Sequence, residues 1–484
     1  MTNIVLVVMD TARYDSVLVS QAELPTFEFL RERGVTYTSA FASAPWTLPS
    51  HGGLFSGRYS SRHGASAAAK RFSKNTPTVV EAFEKASYET VAVSNNTWIS
   101  DEFGFARGFD TFRKNWQYIQ SDVDLGKIAR KEEGFNKIRG VTKQLFDGNP
   151  IVNVANAVYG QFGRRADDDG AKGTNQWISR WLSDRADSDP FFLFINYLEP
   201  HLEYRPPEEY TKAHLPEGVS YAEAMKVNQD AWSYIANDVE MTDRDFRILE
   251  ALYNAEIAYL DEQIGELQRL LEKAGQWEDT IFVVTGDHGE NIGDHGLMDH
   301  QYCLYDTLIH IPLIIQGGDF TGGETVDELV QLTDLAPTLL DAAEIAAPEF
   351  REQLQGRSFL PNLDTSPREY VFSEYLAPQP SMDALKKRVG DIPDEVYEYD
   401  RSLRAIRGKK WKLIRGSDGT TELYHISNDP HETMNLASDR PEKVDELEDE
   451  LDTWLDSFEH VDTSGTVEMS NDTKDRLEDL GYLQ

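Results

Sequence analysis

Residues 4–9 form an unbroken apolar run, mostly β-branched, that ends on Asp10. A short continuous run of this kind predicts a strand buried on both faces, as in a parallel sheet. Pro25 to Arg33 follows with helical spacing; Phe27 and Leu30 fall on its buried side and Gly34 closes it. The pattern then alternates. Residues 35–41 and 90–93 read as strands, 78–85 as a helix, and 49–55 as a helix starting at Pro49. Two more strand-like stretches, Pro190–Leu198 and Thr280–Glu290, repeat the apolar run further on. Strands alternating with helices predict an α/β fold, a mostly parallel sheet covered on both faces.

The regularity is interrupted twice. Residues from about 114 to 175 carry glycine-rich, charged segments such as GRRADDDGAKG and read as an insert over the active face, a possible lid. A second charged insert spans about 378 to 400. After Arg368 the pattern changes: YVFSEYL, SLRAIRGKKWKLIRG and TTELYHI predict antiparallel strands with a turn at Ser417–Gly419. Apolar residues at i, i+4 spacing then predict a helix from Glu442 to Phe458. This divides the chain into a larger domain, 1–365, and a small α+β subdomain, 366–484.

Open α/β sheets bind ligands at the C-terminal ends of their strands. Asp10 ends the first strand, and Asp287 and His288 follow the strand at 281–284. A carboxylate and an imidazole on one strand-end loop can both reach a hard or borderline cation, and Asp10 would add a second carboxylate. Taken singly, each Asp is as well read as a turn or cap residue. Thr47 and Ser50 flank Pro49 where free N–H groups of a helix start favour an anion. Either could equally be a plain N-cap. A hydroxyl becomes a nucleophile only when a base or a metal activates it, so Thr47 depends on the cation.

Composition narrows the partners. With 84 acidic against 47 basic residues the net charge is −37, and lysine is scarce. Such a surface repels nucleic-acid phosphates and anionic membranes, and suits a halophilic protein in concentrated salt. The single cysteine, Cys303, excludes an internal disulfide. No basic segment precedes the first apolar run, and no run reaches the length of a membrane span. A cytoplasmic protein is expected.

The chain resembles the sulfatases of the alkaline phosphatase superfamily. The segments that carry the likeness are LPTFEFLRERGVTYTSAFASAPWTLPSHGGLFSGRYSSRHG, NYLEPHLEYRPPEEY, the helix YNAEIAYLDEQIG and TGDHGENIGDHGLMDHQYCLYDTLIHIPLII. Further on come TDLAPTLLD, GRSFLP, ELYHISNDPHETMNLA and the terminal LEDLGYL. The resemblance implies an alkaline-phosphatase-like fold and an ester hydrolase. It implies that Asp10, Asp287 and His288 bind one divalent cation (Ca, Mn, Mg and Zn are not distinguished) and that Thr47 stands where sulfatases carry the Cys or Ser oxidised to formylglycine. It puts His201 and His300 at positions that contact the substrate or leaving group, and His63, in RHG, near the substrate.

The departures also inform. The nucleophile motif, usually Cys or Ser followed by x-Pro-Ser-Arg, here reads Thr47, Leu48, Pro49, Ser50, His51, so His51 replaces the Arg that would hold the substrate anion. Threonine cannot yield formylglycine, and none is expected. Thr11 stands for the second Asp of the usual pair, and Ser94–Asn96 stand where a Lys-x-His element is usual. Arg13 and Asp15 could orient Asp10 or form a surface pair; Asp294 and His295 could support the site or simply be solvated. The expected function is metal-dependent hydrolysis of a sulfate or phosphate ester, small or glycan-borne, with Thr47 as nucleophile. The alternatives are transfer of a phosphoryl headgroup through a Thr47 adduct and a catalytically silent anion binder. The oligomeric state and the natural ester are not specified by these motifs.

Overall fold

The structure, a computed structural model, describes residues 2–20, 22–115, 170–185, 189–363 and 366–461. Most of the first expected insert and the terminal LEDLGYL lie outside the described residues. The second insert is ordered: Met382–Val389 is a helix, and Arg388 pairs with Asp230 at 2.8 Å.

Nine strands make the central sheet. In chain order, β1 is Asn3–Met9, β2 Val35–Phe41, β3 Glu89–Ser94, β4 Thr111–Lys114, β5 Phe191–Tyr197 and β6 Thr280–Gly286. A small hairpin, β7 (Asn291–Ile292) and β8 (Met298–Asp299), precedes β9 (His310–Gln316), β10 (Glu324–Val326) and β11 (Val330–Gln331). The spatial order is β10-β2-β9-β6-β1-β5-β3-β4, with β11 also on β2. All pairs are parallel except those of β9, which runs antiparallel to both β2 and β6. Every residue of β1, β5 and β6 is buried, which is why these strands are unbroken apolar runs.

Among the described residues the main helices of the covering layers are α1 (Pro25–Arg33), α2 (Thr47–Ser56), α3 (Val79–Lys85), α4 (Ala171–Asp184), α5 (Asp243–Lys273) and α6 (Leu335–Ala342); α7 (Pro441–Asp456) belongs with the C-terminal sheet. Side chains alternate across a strand, and β5 shows both layers. Phe192 and Phe194 meet Phe83 of α3 and Phe55 of α2, at ring separations of 4.6 and 4.9 Å, whereas Phe191 meets Trp181 of α4 at 5.2 Å. Helix α5, capped by Thr242 and Asp245, packs with α1 and α4; α2, α3 and α6 pack together. Among the described residues no helix is long and apolar enough to cross a membrane.

Helix α2 begins two residues before the expected Pro49. Thr47 is its first residue, with Trp46 at the N-cap and no side-chain cap bond. Proline is tolerated at Pro49 because the first N–H groups of a helix have no internal partner. Neither Thr47 nor Ser50 therefore serves as the cap.

The C-terminal residues form an antiparallel sheet of β12 (Val371–Tyr375), β13 (Leu403–Arg407), β14 (Trp411–Gly416) and β15 (Thr421–His425). Leu447 and Leu451 of α7 pack on Ile406, Leu413 and Leu423 to give it a core of its own. A buried ionic cluster latches this sheet to the larger one. Lys412 Nζ lies 2.8 Å from Asp306 and 2.6 Å from Glu432, while Arg407 reaches Asp306 at 3.1 Å. Burial alone would raise the Asp306 carboxyl; Lys412 and Arg407 outweigh it and hold the group well below the usual carboxylate range. Removing one member strands the others without water. Lys412→Met is expected to destabilise the protein by about 3–5 kcal/mol, read as a lower denaturation midpoint in urea; a change within ~0.5 kcal/mol would show that the latch contributes nothing net.

Candidate active site

The sheet topology brings distant residues to one edge. Asp10 follows β1, Asp287 and His288 follow β6, Asn196 lies near the end of β5, and Asn96 follows β3. Because β1 lies between β5 and β6 in parallel register, the three strand ends are adjacent. Helix α2, which follows β2, directs Thr47 at the same point.

Thr47 Oγ1 stands 3.5 Å from Asp10 Oδ1, 3.3 Å from His288 Nε2 and 3.5 Å from Asn96 Nδ2. His288 Nδ1 faces the Gly289 carbonyl at 2.9 Å, which leaves Nε2 for the site. A Cβ at Gly289 would come 2.0 Å from the Thr307 carbonyl oxygen, so only glycine fits behind the Asp-His pair. Asn96 Nδ2 donates to Asp10 Oδ2 at 2.6 Å, and Asn196 Nδ2 approaches the same oxygen at 3.5 Å. Asn96 Oδ1 accepts from Trp98 N at 2.8 Å, which fixes the orientation of the amide. The side chains of Asp10, Asp287 and His288 are 0% exposed.

Asp287 Oδ1 accepts the backbone N–H groups of Thr11 and His288 at 3.2 and 2.9 Å, whereas Oδ2 has no hydrogen-bond partner among the described residues. Burial and the like charge of Asp10 push the Asp287 carboxyl well above its usual range, and burial lowers His288 well below. Among the described residues no Lys or Arg pairs with either acid; the basic side chains beside them are the imidazoles of His51 and His288. Ligand atoms of Asp10, Asp287 and His288 lie within 4.8 Å of one another. Two hard carboxylates, one imidazole and an orphaned, fully buried oxygen are what a divalent cation requires, and this donor set fits one.

Thr11 supports the arrangement from a backbone conformation unusual for a β-branched residue, φ 61°. That turn aims its N–H at Asp287, and its carbonyl accepts from Tyr253 Oη at 2.8 Å.

The remaining sequence candidates divide. His300 and His201 are brought to the site: the His300 ring stands 4.6 Å from that of His288 and 5.2 Å from that of His201. His51 and His63 lie lower, around α2. His51 Nδ1 is 3.0 Å from the Thr47 carbonyl and 3.4 Å from Asp287 Oδ2, and its ring packs among Phe55, Phe105 and Phe194. Burial lowers its pKa to about 4, so it is neutral. His63 packs against Gly52 and Phe72 and accepts from Ala65 N at 3.1 Å. Arg13 pairs with Asp15 and Asp294, both at 2.8 Å, and with the Glu290 carbonyl at 3.2 Å; it does not reach Asp10. His295 is stacked on Tyr305 at 3.7 Å.

Sequence reading did not single out Asn96, Asn196, Glu290 or Asp299. Asn196 did carry a signal, an amide near the end of an otherwise apolar strand. Asn96 was visible only as part of the Ser94–Asn96 stretch that stands in place of the usual Lys-x-His element. Glu290 and Asp299 gather around His300 in a second group of close donor atoms.

Comparison with known proteins identifies the family and the fold. The sulfatase family matches residues 2–345, and the family of C-terminal regions of N-sulphoglucosamine sulphohydrolase matches residues 293–460. Arylsulfatase K of Rattus norvegicus is 26% identical, over 93% of this chain and 77% of its own length. An arylsulfatase of Clostridium perfringens is 25% identical over 96% of both chains. Among solved structures, a phosphonate monoester hydrolase from Silicibacter pomeroyi shares the fold with a TM-score of 0.69 and 21% identity, covering 95% of this chain and 96% of that one.

Proposed function

The chain belongs to the sulfatase family and is a hydrolase of sulfuric or phosphoric esters; from that premise we propose that Thr47 is its nucleophile and that Asp10, Asp287 and His288 hold one divalent cation beside it. A single juxtaposition carries the reading. A threonine hydroxyl lies within 3.5 Å of Asp10 and 3.3 Å of His288, where two buried carboxylates pair with no Lys or Arg among the described residues. When bound, the cation supplies charge compensation and the polarisation that such ester chemistry needs.

The chain's own groups supply the rest. Thr47 Oγ gives up its proton toward Asp10 Oδ1, the carboxylate oxygen it faces, and attacks the sulfur or phosphorus of the bound ester in line with the departing oxygen. Asn96 steadies Asp10 and the nucleophile together. His300, with His201 beside it, delivers a proton to the leaving alcohol. Water, giving a proton to His300, then cleaves the threonine ester, and the departing Thr47 oxygen takes back the proton it gave up. His51 and His63 act from below in this reading: His51 braces Asp287 and the first turn of α2, and His63 packs the flank of that helix. Residues 1–365 carry the chemistry, and the C-terminal subdomain braces them.

The relatives' names cover both sulfur and phosphorus centres, so the proposed substrate is an ester of either acid on a small molecule or a glycan. Purified protein supplied in turn with Mn²⁺, Mg²⁺, Ca²⁺ and Zn²⁺ should be offered aryl sulfates, phosphate monoesters and phosphate diesters. Turnover is expected together with a sulfate or phosphate adduct on Thr47, trapped by acid quench and located by mass spectrometry. Turnover with an adduct on another residue overturns the assignment.

A further inference from the structure

The hairpin that follows the Asp-His pair has an unusual base. Asn291 pairs with Asp299 and Ile292 with Met298, so Glu290 and His300 emerge opposite each other at its open end. Asp299 adopts φ 71°, a left-handed conformation uncommon for a residue with a side chain. Such a conformation persists where the surroundings enforce it. Its effect is to fold the carboxylate back onto the next residue. Asp299 Oδ1 accepts the His300 backbone N–H at 2.7 Å and lies 2.5 Å from His300 Nδ1, while Oδ2 accepts from Gln301 Nε2. Glu290 Oε1 approaches the same Nδ1 at 3.3 Å. All three side chains are buried, His300 at 1% and Glu290 at 0% exposure.

These donors also lie within 4.8 Å of one another, as the Asp10 group does, but the spacing differs in kind. Two donors on one ion, at about 2.0–2.2 Å and near-tetrahedral angles, stand more than ~3 Å apart. The Asp10, Asp287 and His288 atoms are separated by 3.4 and 3.8 Å, consistent with an ion between them. At 2.5 Å, Asp299 and His300 are in direct hydrogen-bond contact.

We propose that Asp299, assisted by Glu290, is a positioning residue that holds the proton of His300 on Nδ1 and turns Nε2 toward the departing oxygen. A carboxylate on one ring nitrogen fixes both the tautomer and the ring plane, so the other nitrogen meets the substrate in a single orientation. The inference rests on the reading that His300 serves the leaving group. It adds why this imidazole, among several buried nearby, is the one prepared to do so.

The test compares wild type, Asp299→Asn, His300→Gln and the double variant on esters of one acid with nitrophenol, phenol or an alkyl alcohol as leaving group. Asp299→Asn should lose a few-fold on the nitrophenyl ester and about 100-fold on the alkyl ester, which needs the proton more. The loss should fall in kcat with KM little changed, and the double variant should be no slower than His300→Gln alone. In histidine-labelled protein, NMR should show a strongly downfield Nδ1 proton in the wild type that Asp299→Asn removes. Losses equal across leaving groups, or additive in the double variant, overturn the proposal. So does a second bound ion in wild type that Asp299→Asn eliminates. If the wild type hydrolyses no ester at all, the catalytic reading falls, and the Nδ1 resonance alone decides whether Asp299 sets the tautomer.

Discussion

Thr47→Ala is expected to lower kcat by about 10⁴-fold or more, the scale seen when an essential nucleophile is removed, while leaving the fold intact. Thr47 is the first residue of α2 and provides no capping bond, so alanine, a better helix former, costs the helix nothing. Among the described residues the hydroxyl it removes meets Asp10, His288 and Asn96, all at 3.3 Å or beyond. The variant should therefore melt within a degree or two of wild type and give no adduct at position 47. Thr47→Ser keeps the hydroxyl and should retain turnover within roughly tenfold, since only one methyl group is taken away. An alanine variant that still works at about a tenth of wild-type rate would mean that water attacks the ester directly.

Chelation should be the second large effect, acting on stability and activity together. Asp10 and Asp287 are fully buried, and Asp287 Oδ2 lacks any hydrogen bond, so stripping the ion leaves like charges facing each other in a low-dielectric site. A ligand that binds only the folded state adds about 2.7 kcal/mol at a hundredfold excess over its dissociation constant. EDTA should therefore lower the melting temperature by several degrees and abolish turnover, and one equivalent of the working cation should restore both. Asp287→Asn removes the like charge as well as a ligand. That variant should be inactive yet indifferent to EDTA, with a melting temperature above that of stripped wild type. Wild type whose melting curve and rate ignore EDTA would remove the cation from this site.

The framework was open to sequence reading because parallel strands buried on both faces appear as continuous apolar runs, and β1, β5 and β6 are such runs. The polar residues that end two of them, Asp10 and Asp287, stood out for the same reason. What escaped is relational. Pro49 marks a helix start but is tolerated anywhere in the first turn, so the run could not say that Thr47 leads it. The place of His51 follows from helical geometry: four residues after Thr47 it lies on the same face, one turn on, and that face looks into the sheet. Replacement of an expected Lys-x-His made residues 94–96 look like a loss, whereas Asn96 holds Asp10 more closely than any other side chain does. Asp299 is legible only through its backbone: no local pattern announces a positive φ that returns a carboxylate to the neighbouring imidazole.

The reversed direction of β9 has a wider meaning. A parallel strand beside β6 would have required the chain to travel to the far edge of the sheet before entering it. An antiparallel one is entered from the edge that β6 has just left, so residues 287–309 remain at the catalytic rim throughout. On the roles proposed above, one uninterrupted ribbon thus governs departure of the alcohol, while attack is assigned to Thr47 on a separate helix. The same ribbon also starts with Asp287 and His288, which stand beside Thr47, so the choice of alcohol can be retuned without disturbing the attacking hydroxyl only through the residues that come after this pair.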